Sequence, residues 1–544
     1  MPVHSRYPPI KIPSVDLWAF NFDNAAREFP DNHAVYVDTA ANKKHTFRGV
    51  QTAAEEFGKG LMDNWGWQKG DLLVLITPNS ANIASVVFGA LYAGGVICPL
   101  SNVLTVGELV QSLKASGAKA IVTHTECLDA AKQAAKIVAI PEDRILLVDE
   151  AGSRGDVRHF SDLRSSSQGL ERPKIDPAQD LAFLVYSSGT TGLPKGVMLT
   201  HQNMVANTMQ SDVLGEEFTH WKRDRSLGFL PMYHIYGIAA LILLPLYKGI
   251  TTYIMQRFDL KVFCNIVHKD RITFAYIVPP VALALAKSPV VDEYDLTSLR
   301  MLHSSAAPTA KDIIEAIYRR FEVPTRQGYG LSEASPGVCS QTAESWNKPI
   351  GSSGRLAPSM SLKIVQDGKE MPHGKEGELW IRGPNIFKGY YNNPTATAEA
   401  VDADGWYRTG DIGYVDEHDN IFITDRLKEL IKYNGFQVPP AQLEGVLIAH
   451  PAVADVAVVG VYSAERATEL PRAYIVLAEG YKGDEEMERS IHEWFDKQVA
   501  AYKRLRGGIR FVESVPKSNA GKLLRRVLVE QARQENKPLL KARM

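Results

Sequence analysis

Two rhythms of apolar residues alternate along most of the chain. The run LLVLIT at 72–77 is short, unbroken and closed by Pro78, Asn79 and Ser80. A run of that length without polar interruption predicts a strand buried on both faces. Residues 81–92 read as a helix, Gly94 and Gly95 interrupt the chain, and 96–100 is strand-like again. A helix over 106–116 and a strand over 120–123 continue the series. The strand signal returns at 227–230, 252–255, 274–278 and 301–303. Strands separated by helices predict an α/β fold with mixed, mostly parallel sheets. Residues 152–179, rich in Ser, Arg and Asp, read as a surface excursion before a strand over 181–186.

The texture changes near residue 425. A loop over 432–440 precedes a helix over 441–450, strands over 453–461 and 472–477, and a helix over 485–498. This is the pattern of a small α+β unit with its own core. We therefore expect two domains, 1–426 and 427–544. A chain of 544 residues exceeds what one core supports, which agrees.

Charge excludes some partners. With 61 basic and 62 acidic residues the net charge is -1, which speaks against nucleic acid or an anionic membrane as the main partner. The cysteines at 98, 127, 264 and 339 are scattered, so neither a disulfide framework nor a zinc site is expected. The opening MPVHSRYPPIKIPSV holds no apolar run of the kind a secretory signal needs. Glycines at 89, 94 and 95 break the apolar stretch 84–100, and 238–247 is too short to cross a bilayer, so no membrane span is expected. The tail Ala542-Arg543-Met544 is similar to a peroxisomal address, which would make an import receptor a partner. Peroxisomal or cytoplasmic residence follows.

The strongest chemical signal is YSSGTTGLPKG at 186–196, directly after an apolar strand. Its three glycines let backbone N–H groups turn towards an anion, four Ser and Thr hydroxyls add donors, and Lys195 adds charge. Together these make a phosphate cradle. It is not a Walker A loop, because Lys195 follows a proline and no Gly-Lys-Ser/Thr stands at the required spacing.

Six further blocks follow in order: LPMYHIYG at 230–237, SSAAP at 304–308, QGYGLSE at 327–333, GWYRTGD at 405–411, DRLKELIKYNGFQ at 425–437 and PKSNAGK at 516–522. With the loop, these resemble the adenylate-forming superfamily of acyl-CoA synthetases, 4-coumarate–CoA ligases and beetle luciferases. The chain is most like 4-coumarate–CoA ligase. The resemblance covers nearly the whole chain. It implies a large N-terminal adenylation domain and a small mobile C-terminal domain carrying the catalytic lysine.

It also implies an activity: an acid–thiol ligase that joins a carboxylic acid to coenzyme A through acyl-AMP, using ATP and Mg2+. Alternatives are an adenylating enzyme with a non-CoA acceptor, a luciferase-like oxygenase, or a non-catalytic nucleotide-binding protein of the same fold.

By resemblance, Lys522 bridges carboxylate and α-phosphate, and His234 orients the carboxylate. Lys432 and Gln437 approach when the small domain rotates about the hinge Lys428. ATP or AMP is held by Ser187, Ser188, Gly189, Thr190, Thr191, Gly192 and Lys195 of the loop. Tyr329 stacks on the adenine and Ala306, Ala307 and Pro308 line it, while Gln327, Gly328 and Ser332, which stands where the family has Thr, also belong to the ATP or AMP site. Asp411 accepts the ribose hydroxyls beside Arg426, and Glu333 binds Mg2+. Arg257, Asn434 and Gly435 lie towards coenzyme A, with Asn434 in place of a frequent lysine.

By the same resemblance the acid lies among Tyr236, Ala240, Ala306, Gly330, Pro336 and Gly337. Ala240 stands where plant coumarate ligases have serine, and Gly337 where they have a valine-like residue. Both changes remove bulk. A roomy pocket for aryl, cinnamate-like or medium-chain fatty acids is therefore expected.

Overall fold

The structure is a computed structural model. It describes residues 2–149, 157–167, 170–187, 195–216, 219–427, 429–433, 436–463, 466, 468–518 and 521–535, with the side chains of 187, 436 and 437 outside the description.

The apolar runs form the centres of two sheets. In the seven-stranded sheet, Leu72–Ile76 lies between Val96–Leu100 and Ala120–Thr123, and all these neighbours pair in parallel. Every residue of Leu72–Ile76 is buried, so the strand shows no alternation. Helices Ile83–Tyr92 and Phe47–Trp65 pack over the sheet, their backbones meeting at small residues such as Gly58 and Gly89. Leu181–Ser187 pairs in parallel with Val96–Leu100 and in antiparallel with Lys195–Thr200.

The nine-stranded sheet contains Arg225–Gly228, Phe274–Ile277, Met301–Ser304 and Thr325–Gly330 as parallel neighbours. Gly337–Ser340 then folds back antiparallel to Thr325–Gly330. A third, six-stranded antiparallel sheet carries Gly377–Arg382, Tyr407–Val415 and Ile421–Arg426.

After Arg426 the chain starts new cores. Val453–Ser463, Thr468–Leu477 and Ile509–Phe511 form a separate three-stranded sheet. Helices Pro440–Leu447 and Glu485–Asp496 bury Leu443, Leu447, Ile491 and Phe495 against it.

Two sequence expectations change. The loop expected over 432–440 contains a hairpin, Ile431–Tyr433 paired with Phe436–Val438. Ile431 and Tyr433 are buried and Lys432 is exposed, an alternation too short to stand out in the sequence. Within the expected surface excursion, Phe160–Leu163 forms a short turn whose Phe160 and Leu163 are each only 1% exposed. They pack onto Phe47–Trp65, where a Cβ at Gly60 would stand 1.9 Å from the Leu163 carbonyl oxygen. All four cysteines are buried and free. Among the described residues no helix is long and apolar enough to cross a membrane.

Candidate active site

The strand Thr325–Gly330 and the turn after Met301–Ser304 build one wall. Parallel pairing sets Ser304 beside Gln327. Ser305 Oγ donates to the Gly328 carbonyl at 2.8 Å, and the Thr309 N–H donates to Oε1 of Gln327 at 2.9 Å. These bonds fix the turn bearing Ala306, Ala307 and Pro308. Ala306 has φ 74, a left-handed conformation that bends the chain back over the strand.

Asp411 lies in the third sheet, cross-strand from Arg426. It is 3% exposed. Tyr329 Oη donates to its Oδ2 at 2.6 Å, and Arg426 Nε stands 3.1 Å from its Oδ1. Burial raises the Asp411 carboxyl above its usual range, while Arg426 pulls it back down. A carboxylate aligned from two sides can receive a diol.

Glu333 is 8% exposed and takes a hydrogen bond on Oε1 from Tyr390 Oη at 3.0 Å. Burial raises its carboxyl. The Lys195 ammonium lies over the Tyr390 ring, 4.8 Å from its centroid. Tyr390 thus links the loop lysine to the acidic residue, and the sequence reading missed it.

The second unit brings Lys522 to this wall. Its loop is closed by Ser518 N–H to Lys522 O at 2.8 Å and Gly521 N–H to Ser518 O at 2.8 Å. Gly521 has φ 76, and a Cβ there would meet Val278 and Pro280 of the first unit at 3.3 Å. Outside the loop, the Ala441 N–H donates to Asp425 Oδ2 at 3.0 Å and Lys287 Nζ to the Val453 carbonyl at 3.1 Å. Arg525 pairs with Glu429 and, at 2.6 Å, with Glu444. Burial lowers the Lys522 ammonium to about 8; Arg426 adds to the shift, and Glu429 and Asp411 oppose it.

His234 faces the same space. Burial, followed by the positive Lys522, lowers its imidazole to about 4. The Tyr236 N–H donates to His234 Nδ1 at 3.3 Å. The neutral ring therefore carries its proton on Nε2, as a donor.

His234 lines a cavity together with Tyr236, Ala240, Ala306, Tyr329, Gly330, Pro336 and Gly337. The structure thus gathers the expected acyl positions around one space. It adds Asn207, Tyr276 and His303, which the sequence reading passed over. A signal existed for the first: Asn203, Asn207 and Gln210 recur at helical spacing in His201–Gly215, and all three are buried. Tyr236 Oη donates to the His303 carbonyl at 3.1 Å, fixing the rear of the cavity.

Other expected positions lie elsewhere. Lys432 has an exposed side chain, and its N–H donates to Glu469 at 2.7 Å. Arg257 is exposed and paired with Glu126. Ser188, Gly189, Thr190, Thr191, Gly192, Lys428, Asn434, Gly435 and the tail 542–544 lie outside the described residues, as do the side chains of Ser187 and Gln437.

Comparison with known proteins agrees in extent. The AMP-binding enzyme family matches residues 22–391, and the AMP-binding enzyme C-terminal domain matches 442–522. 4-Coumarate–CoA ligase 1 of Petroselinum crispum is 38% identical over 534 residues, 96% of this chain and 95% of its own length. A probable 4-coumarate–CoA ligase 1 of Dictyostelium discoideum is 38% identical over 543 residues, 96% of each. The solved structure of ATP-bound MatB from Rhodopseudomonas palustris superposes with TM-score 0.85 at 28% identity, covering 96% of this chain and all of the other.

Proposed function

The chain belongs to the AMP-binding enzyme family, and we propose that it joins a carboxylic acid to coenzyme A in two steps at this site. In the first, the carboxylate attacks the α-phosphorus of ATP, forming acyl-AMP and releasing diphosphate. In the second, the coenzyme A thiol attacks the acyl carbon, forming the thioester and releasing AMP. The observation that carries this reading is the placement of Lys522, from the second unit, near Asp411 and Arg426 and near His234, which itself lines the cavity of the expected acyl positions.

The first step brings two anions together, so it needs positioning and positive charge more than covalent help. Lys522 supplies a mobile cation between carboxylate and α-phosphate. His234 Nε2–H holds a carboxylate oxygen. Asp411 accepts the ribose hydroxyls, with Tyr329 stacked on the adenine and Arg426 beside the phosphate. The loop at 187–195 receives the β- and γ-phosphates. Glu333 suits a magnesium ion bound with ATP, because a buried carboxylate whose donor is a neutral phenol matches a hard cation. Such an ion would neutralise phosphate charge.

We place the division of the chain between 426 and 427, where the first unit's last strand ends, with Lys428 as the hinge. Rotation there would bring Lys432, Gln437, Asn434 and Gly435 to the site and open the approach to coenzyme A near Arg257. The cavity suits aryl, cinnamate-like or medium-chain acids. A hydrophobic pocket separates homologues by only ~1–3 kcal/mol per methylene, so several acids should react.

The test is a panel of acids assayed for diphosphate exchange and for thioester formation with coenzyme A. Exchange without thioester would exclude the ligase reading and favour another acceptor. Preference for acetate alone would exclude the acid class. We also propose peroxisomal import through Ala542-Arg543-Met544. Cytoplasmic retention of a fluorescent protein ending in this tail would remove that proposal.

A further inference from the structure

We propose that Asn207 is a specificity-determining residue, whose carboxamide forms the wall of the acid cavity that a side chain at 337 would otherwise form. The proposal rests on the reading of the cavity as the acyl site.

Gly337 alone suggests added room. The structure shows what stands there instead. A Cβ at 337 would lie 3.3 Å from Nδ2 and 3.5 Å from Oδ1 of Asn207, and 3.9 Å from its Cγ. The nearest heavy atoms to the missing side chain are therefore all of one carboxamide, reached across 130 residues of sequence.

That carboxamide is held in one orientation. Its Nδ2 donates to the Gly337 carbonyl at 2.9 Å and to Oε1 of Gln210 at 3.0 Å. Its Oδ1 accepts the Gly337 N–H at 3.2 Å. Gln210 is itself fixed by a bond to the Pro358 carbonyl at 2.8 Å. The Gly337 carbonyl also accepts from Asn385 Nδ2 at 2.9 Å. With both donors of Nδ2 used and the residue 1% exposed, the group has no low-cost alternative rotamer.

The two positions therefore act as a pair. Glycine at 337 makes room for the carboxamide, and the carboxamide limits the girth of the acid beside Ala240. A larger residue at 337 must displace Asn207, and a smaller residue at 207 opens the cavity without any change at 337.

The experiment compares full-length wild type with Asn207→Ala, Asn207→Ser, Gly337→Ala and the Asn207→Ala/Gly337→Ala double variant. The substrates are cinnamic acids with ring substituents of increasing bulk, assayed by acid-dependent diphosphate exchange. Asn207→Ala is expected to raise kcat/KM for bulky over unsubstituted acids about tenfold, with the KM for ATP unchanged. Gly337→Ala is expected to lower kcat/KM in the wild-type background and to cost little once Asn207 is Ala. Equal losses for all acids in Asn207→Ala, or additive effects in the double variant, would overturn the proposal. If Asn207→Ala fails to fold, Gly337→Ala in the Asn207→Ser background decides on the same terms. A wild type that exchanges diphosphate with no acid would instead overturn the ligase reading.

Discussion

Tyr390 and Glu333 are joined by a hydrogen bond of 3.0 Å, and the same phenol carries the Lys195 ammonium over its ring. One side chain thus fixes Glu333 and the Lys195 cation relative to each other. Tyr390→Phe keeps the ring for Lys195 and removes only the hydroxyl. A hydrogen bond to a charged group contributes ~1.5–3 kcal/mol. The KM for ATP at fixed magnesium should rise about tenfold or more, with the acid KM little changed. Initial rates of diphosphate exchange check this, and equal changes in both constants would count against it.

The role proposed for Lys522 belongs to one step of two. Lys522→Ala should lower adenylation by about 10²- to 10³-fold, the loss seen when one preorganised donor to developing charge is removed. Thioester formation from supplied acyl-AMP and coenzyme A should stay within a few-fold of wild type. Equal loss of both half-reactions would show that the lysine has another role.

The lowered Lys522 ammonium gives a pH signature. In the proposed role the lysine acts in its charged form, so kcat/KM should fall as pH rises through about 8, and Lys522→Ala should flatten that limb. Stability moves the other way. Between about 8 and the usual 10.5 the unfolded chain holds a proton that the folded chain has released, so this group makes folding more favourable as pH rises. His234 is neutral above about 4, so it adds no limb near neutrality. Rate profiles and denaturant midpoints over pH 7–10 separate the two effects.

Gly521 lets the lysine loop seat on Val278 and Pro280. Gly521→Ala places a Cβ against both and imposes a left-handed backbone that costs roughly 1–2 kcal/mol. Adenylation should fall about 5- to 30-fold, while thioester formation from acyl-AMP should be spared, because the proposed rotation takes the loop off that seat. Single-turnover measurement of each half-reaction tests this.

The site was legible unevenly in the sequence. Tyr329, Asp411, Arg426, Glu333 and Lys522 stood in recognisable blocks, and the structure brings them to one wall. Tyr390 and His303 carried no local signal, since their meaning lies in what they touch. The hairpin at 431–438 was read as a loop because only a few alternating residues define each strand. The turn at Phe160–Leu163 was read as surface because polar neighbours hid two buried side chains.

The order of buried strands and the two-unit organisation were already present in the sequence, as was the composition of the loop proposed to hold phosphate. Each rests on short-range pattern: unbroken apolar runs, glycines beside hydroxyls, and a change of texture after 426. The tertiary structure alone decided which groups meet and how they titrate. Burial and the field of Lys522 lower the His234 imidazole, and a backbone N–H sets its tautomer. Gly337 shows this most clearly. As a letter it meant space, but a carboxamide from a helix 130 residues away stands in part of that space. Occupied volume and local dielectric depend on every element packed around a residue, and no stretch of neighbouring sequence contains them.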